Sequence, residues 1–182
     1  HRPQFSLSDL IVKPLANRNF RLFLGYSATM TFATGYIGQF EWLYLFNEVG
    51  MSNFKANLML VCIPILVMAC TYPAWGRIVD RFGSKPALLI AGLFVVNGAT
   101  AWVFVTRDHW VLGYMCAMIA TMAWPGMDLA AFNLLLRMTD AGDKGRASSA
   151  VIAINSFVVA VAGVLSGIFG GAVAEFLGKS WH

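Results

Sequence analysis

Apolar residues run through this chain in blocks of about 20, and the polar residues gather in short stretches between the blocks. A helix needs roughly that many apolar residues to cross about 30 Å of hydrocarbon. Five such blocks are legible: about Phe23–Phe46, Ala56–Trp75, Ala87–Val105, Trp110–Leu136 and Ser148–Leu177. None alternates with a period of two over the roughly ten residues of a barrel strand, so each block predicts a transmembrane helix. The fourth and fifth blocks exceed the thickness of a bilayer and must tilt, kink or project into water. The expected fold is all-α, a polytopic transmembrane helix bundle. Residues 1–22 form a cytoplasmic interfacial lead-in, 23–178 the bundle and 179–182 a tail.

Composition agrees with a lipid environment. The chain is 58% apolar and 12% charged, whereas soluble domains carry roughly a quarter charged residues. Charge then sets orientation. With the segments numbered alternately, one side holds Arg2, Lys13, Arg18, Arg21, Arg77, Arg81, Lys85, Arg137, Lys144 and Arg146; the other holds Lys55, Arg107 and Lys179. The side rich in Lys and Arg is cytoplasmic, which puts the N-terminus inside and, after five spans, the C-terminus outside. The net charge of +4 follows from this topology and from contact with anionic lipid. It gives no reason to invoke nucleic acid. The chain opens on His1 with no leader pattern and is taken as part of a longer polypeptide.

Cys62, Cys70 and Cys116 all fall inside spans, and no Cys/His spacing suits a metal. No phosphate loop, nucleotide fingerprint or catalytic triad is legible. The expectation is a non-enzyme without cofactor or metal. Trp42, Trp75, Trp102, Trp110 and Trp181 fall near span ends, as an interfacial aromatic belt requires.

Between the second and third spans lies "GRIVDRFGSKP", Gly76–Pro86. The pattern predicts a helix ending at Trp75–Gly76, a turn loosened by Gly76 and Gly83, and a new helix near Pro86, where proline suits a first turn. Asp80 is placed to reach a neighbouring helix N-terminus. Taken alone, this is an ordinary positive-inside loop. Its spacing, with Gly76, Asp80–Arg81, Gly83 and Lys85 in order, resembles the signature loop of the major facilitator superfamily. That loop recurs between the second and third helices of each six-helix half. "PLANRNFRLFLGYS" resembles the lead-in to the first helix of a half, and "AWPGMDLAAFNLLLRMTDAGDKGRASSAV" its fourth helix, cytoplasmic loop and fifth helix. "GVLSGIFGGAVAEFLG" is similar to a glycine-rich fifth helix. The resemblance extends to about Gly178, corresponds to a C-terminal half, and lacks a sixth helix.

The resemblance implies a secondary transporter that moves a small solute by alternating access. In such a half, the first, second, fourth and fifth helices line the cavity. Partners would be the lipid bilayer, the missing N-terminal half and sixth helix or other membrane subunits, and a small-molecule substrate. The expected location is a bacterial inner (plasma) membrane. The competing expectation is a facilitator-derived accessory or assembly subunit of a larger membrane complex.

Within the spans, ionisable residues are costly and functional by default. Asp128 lies midway along the fourth span. It shares a helical face with Thr121 and Trp124 across Pro125, and serves either as a ligand site or as a tie to a neighbouring helix. Glu41 ends a stripe with Ser27, Thr31, Thr34 and Gly38 that spans roughly 80° at about 100° per residue. That stripe faces the bundle or a water-filled cavity, with helix packing through small residues the favoured account of its Ser and Thr members. Glu41 is either a binding group or an interfacial carboxylate near headgroup level. In the fifth span Gly163, Gly167 and Gly171, with Gly170 beside them, predict close helix approach, and Asn155 shares a face with Ser148 and Ser166. Asp128, Glu41, Trp124 and Asn155 are the candidates for binding substrate or a proton. The third span offers only Asn97 and Thr100 as polar groups and is expected to face lipid.

Overall fold

The computed structural model describes residues 7–138 and 146–180 and contains helices throughout, with no strand among them. The expected positions Arg2, Lys144 and Trp181 lie outside the described residues, as do the side chains of Arg146, Ser148 and Lys179. Helix α1 is Leu7–Ala16 and α2 is Arg18–Asn47. Helix α3 runs Asn53–Phe82, α4 is Ser84–Ala101 with a 3-10 turn at Trp102–Phe104, α5 is Val111–Arg137 and α6 is Arg146–Ser180.

Four of these helices are long and apolar enough to cross a membrane: α3, α4 with its 3-10 turn, α5 and α6. This is an all-α transmembrane bundle. Helix α2 is continuous over 30 residues, but its run of Ser, Thr and Gly, with Gln39 and Glu41, leaves it outside that group. It also begins at Arg18, inside the segment expected to precede the span.

Two compact units emerge from the packing, one built from the chain up to Glu41 and from Leu135 onward, the other from Trp42–Leu134. In the first unit, α2 meets α6 through small residues. A Cβ added at Gly35 would collide with the Ser166 hydroxyl, and one at Gly170 would lie 2.5 Å from Gln39 Oε1. Gly163 faces Thr31 and Gly167 faces Gln39, while Phe32 and Phe169 meet edge-on at 5.9 Å. The expected glycine stripe therefore packs through 163, 167 and 170. Gly171 has open space around it, because α6 turns about 100° per residue and carries that position off the contact.

In the second unit, Leu45, Val49, Met51, Ala56, Met59 and Ala117 form a buried cluster, bordered by Trp42, Trp102 and Trp110. Ser52 caps α3, its hydroxyl accepting from Lys55 N–H at 3.5 Å. A π-helical turn at Leu58–Cys62 sits just ahead of Pro64. There the Ile63 N–H reaches back to Leu58 O, a widened turn that accommodates a proline ring crowding the carbonyl four residues earlier.

The turn after α3 corrects the sequence expectation. The helix continues through Gly76, Arg77, Asp80 and Arg81 to Phe82 and does not stop at Trp75. Its physical stop is Gly83, at φ +88°, whose N–H bonds Val79 O at 2.9 Å. Nothing crowds Gly83, so glycine is needed there for its dihedral alone. Its carbonyl in turn accepts Ala87 N–H at 3.4 Å, and α4 starts at Ser84, ahead of Pro86. A single residue thus ends one helix and opens the next. Gly76 imposes no break, since an isolated glycine costs a helix only about 1 kcal/mol.

Candidate functional site

Helix α4 shows how a polar residue survives in hydrocarbon. Asn97 donates to Leu93 O at 2.7 Å and Thr100 to Asn97 O at 2.8 Å, each on its own helix. Around them Leu89, Leu93 and Val96 are exposed. This face is exposed and its polar groups are served within the helix.

Helix α5 differs. Asp128 is exposed, at mid-span, and its carboxylate accepts from the Tyr72 hydroxyl of α3 at 3.1 Å. A carboxylate facing hydrocarbon at the centre of a span costs about 2.5–3.5 kcal/mol even on lenient insertion scales. A single charge-assisted bond of about 1.5–3 kcal/mol offsets part of that and leaves the other carboxylate oxygen unserved. The surface carrying Asp128 must face water or further protein.

One turn along α3 from Tyr72, Trp75 is buried, at 9% exposure. This corrects its expected place in an interfacial belt. With α3 running on to Phe82, Trp75 stands two turns inside the helix. Its indole N–H donates to Met122 O at 2.6 Å. Its ring lies where a Cβ at Gly126 would be, with three ring atoms inside contact distance. Gly126 is required by that close approach. Pro125 beside it is buried, and Thr121, also buried, turns its hydroxyl back to Ala117 O at 2.6 Å. Of the predicted face of α5, then, Thr121 is occupied by its own helix. Trp124 is half-buried, and Asp128 alone presents a charge.

The remaining candidates lie in the other unit. Glu41 is half-buried on α2. Asn155 is half-buried on α6, and its Oδ1 is buried without a hydrogen-bond partner among the described residues. The signature residues Asp80, Arg81 and Lys85 are exposed at the α3–α4 corner.

Tyr72 and Gln39 escaped the sequence reading. Both are polar residues within apolar blocks, and the rule that intramembrane polar groups carry function or packing applies to them as to Asp128. The signal was present, but only the helix register shows what they meet.

The family model described as MFS/sugar transport protein matches residues 1–179. No curated protein and no solved structure matches the chain.

Proposed function

Because the chain belongs to the MFS/sugar transport protein family, and its members are membrane transporters, we propose that it forms most of a C-terminal half. In this reading it moves a small hydroxyl-bearing solute by alternating access against an N-terminal half. The observation that carries this reading is the exposed Asp128 carboxylate, held by Tyr72 in the middle of a span. A carboxylate with one oxygen engaged keeps further acceptor capacity for solute hydroxyls or for a coupling cation. Trp124, one turn away, offers an apolar face to a sugar ring. Tyr72 joins Asp128 and Trp124 in that set, while Glu41 and Asn155 remain separate candidates in the other unit.

In the same reading the N-terminus is cytoplasmic, all of α2 spans the bilayer as a fifth helix, and the α3–α4 corner works on the cytoplasmic side. Support comes from the segregation of Lys and Arg and from the length of α2. The test is Asp128→Asn in the full chain, reconstituted in vesicles. Transport should be abolished or uncoupled from its driving ion while the purified protein keeps its thermal stability. Normal coupled transport by this variant would reduce Asp128 to a tie between helices.

A further inference from the structure

Helix α5 is weakest at Pro125–Gly126. Proline has no N–H to give Thr121 O, and its ring crowds that carbonyl, so the ladder there is a bond short. Glycine adds backbone freedom at the next residue. Two contacts from α3 fall on this point. The Trp75 indole holds Met122 O, on the N-terminal side of the proline, and packs against Gly126. The Tyr72 hydroxyl holds Asp128, on the C-terminal side. Tyr72 and Trp75 are three residues apart and so neighbours on one face of α3. Between them is Pro73, which leaves α3 itself a bond short at the same level.

We propose that Pro125–Gly126 is a joint in α5, and that Tyr72 and Trp75 latch it from both sides. Their side chains are positioning residues for the segment Met127–Arg137, and for Asp128 with it. The Trp75 contact is permanent, since its N–H is buried and has one acceptor. The Tyr72 contact is releasable, because it ends on an exposed carboxylate that another donor can claim. Whatever takes Asp128 from Tyr72 frees one half of the latch, and the C-terminal segment of α5 becomes able to swing. Only this last step rests on the transport reading; the latch itself stands on the α3–α5 contacts.

The test measures the joint directly, without transport. In the full chain with Cys62, Cys70 and Cys116 replaced by Ala, spin labels go on two pairs of exposed positions. Phe82 with Phe132 reports the segment beyond the joint, and Ile65 with Ile119 the segment before it. Tyr72→Phe, which removes one hydroxyl, should broaden and lengthen the 82–132 distances and leave the 65–119 distances unchanged. Asp128→Leu should do the same, and adding Tyr72→Phe to it should change nothing further, since both delete one contact. Trp75→Phe should give the larger shift. Unchanged 82–132 distances in both Tyr72→Phe and Trp75→Phe would overturn the latch. Equal broadening of both pairs would overturn it too, by showing general loosening. If the distances respond but Asp128→Asn transports normally, the latch survives and the ligand role of Asp128 fails.

Discussion

The α2–α6 pair and the α3–α5 pair solve the same problem with different residues. Both bring helix backbones close inside the membrane, where no hydrophobic force drives association and contact has to come from packing and hydrogen bonds. Between α2 and α6 the closeness comes from Gly35, Gly163, Gly167 and Gly170, against which Ser166, Thr31 and Gln39 pack. Ser166 donates to Gly163 O at 2.7 Å on its own helix. Between α3 and α5 Gly113 meets Met59 and Gly126 admits the Trp75 indole, and three hydrogen bonds cross from helix to helix, given by Tyr72, Trp75 and Tyr114. The first interface is smooth and interchangeable. The second is specific, and it includes the one ionisable group seen exposed at mid-span on α5.

The largest effect is expected where that contrast is steepest. Gly126→Ala puts a methyl against three Trp75 ring atoms and should cost about 1–3 kcal/mol by overpacking, read as a loss of thermal stability in detergent. Gly35→Ala meets only the Ser166 side chain, chiefly its hydroxyl. Its cost should be largely recovered by adding Ser166→Ala, because that hydroxyl is bonded to Gly163 O on its own helix. The matching rescue of Gly126→Ala by Trp75→Leu should restore stability but lose the bond to Met122 O, leaving transport impaired. If both double variants transport equally well, the two interfaces are equivalent and the contrast fails.

A smaller effect separates glycines that touch from those that do not. Gly171 and Gly38 have nothing within 4 Å of an added Cβ. Changing either to Ala should be neutral or stabilising by up to about 1 kcal/mol, the ordinary helix preference for alanine. Gly170→Ala must push the flexible end of Gln39 aside, so its gain should be smaller or absent. A melting-temperature comparison of the three decides whether the α2–α6 register is right. If all three variants behave alike, the register of that contact is wrong.

These residues show what a sequence yields in a membrane protein. Block length placed four of the five expected spans, since hydrocarbon thickness is a hard constraint, and cost alone singled out Asp128. The glycine spacing of α6 announced close packing, but which of 170 and 171 packs depends on the rotation of the helix against its neighbour, and spacing does not contain it. Trp75 was misplaced for a related reason. Its distance from a span end was counted from the end of the apolar block, while the helix continues seven residues further through charged sequence to Gly83. Charge marks where lipid ends, and dihedral freedom marks where the helix ends. At the α3–α4 corner these are different places.

That corner carries the smallest predicted effect, and its sign is informative. Asp80 lies in the last turn of α3, where a carboxylate opposes the negative end of the helix dipole, and Arg77 and Arg81 beside it suit that end. Judged by α3 alone, Asp80→Asn should stabilise the protein by about 0.3–1 kcal/mol. A residue that costs its own helix is understandable if the carboxylate serves another helix's N-terminus, either α4 across Gly83 or one outside this chain. With α4 as the partner, the two terms oppose each other and stability should barely move. With an external partner, the variant should be slightly more stable in isolation, yet transport by the full chain should fall several-fold as one conformer loses its contact. Measuring melting temperature and transport on the same Asp80→Asn preparation distinguishes these. Unchanged transport with raised stability would leave Asp80 as a solvated charge at a positive-inside corner and nothing more.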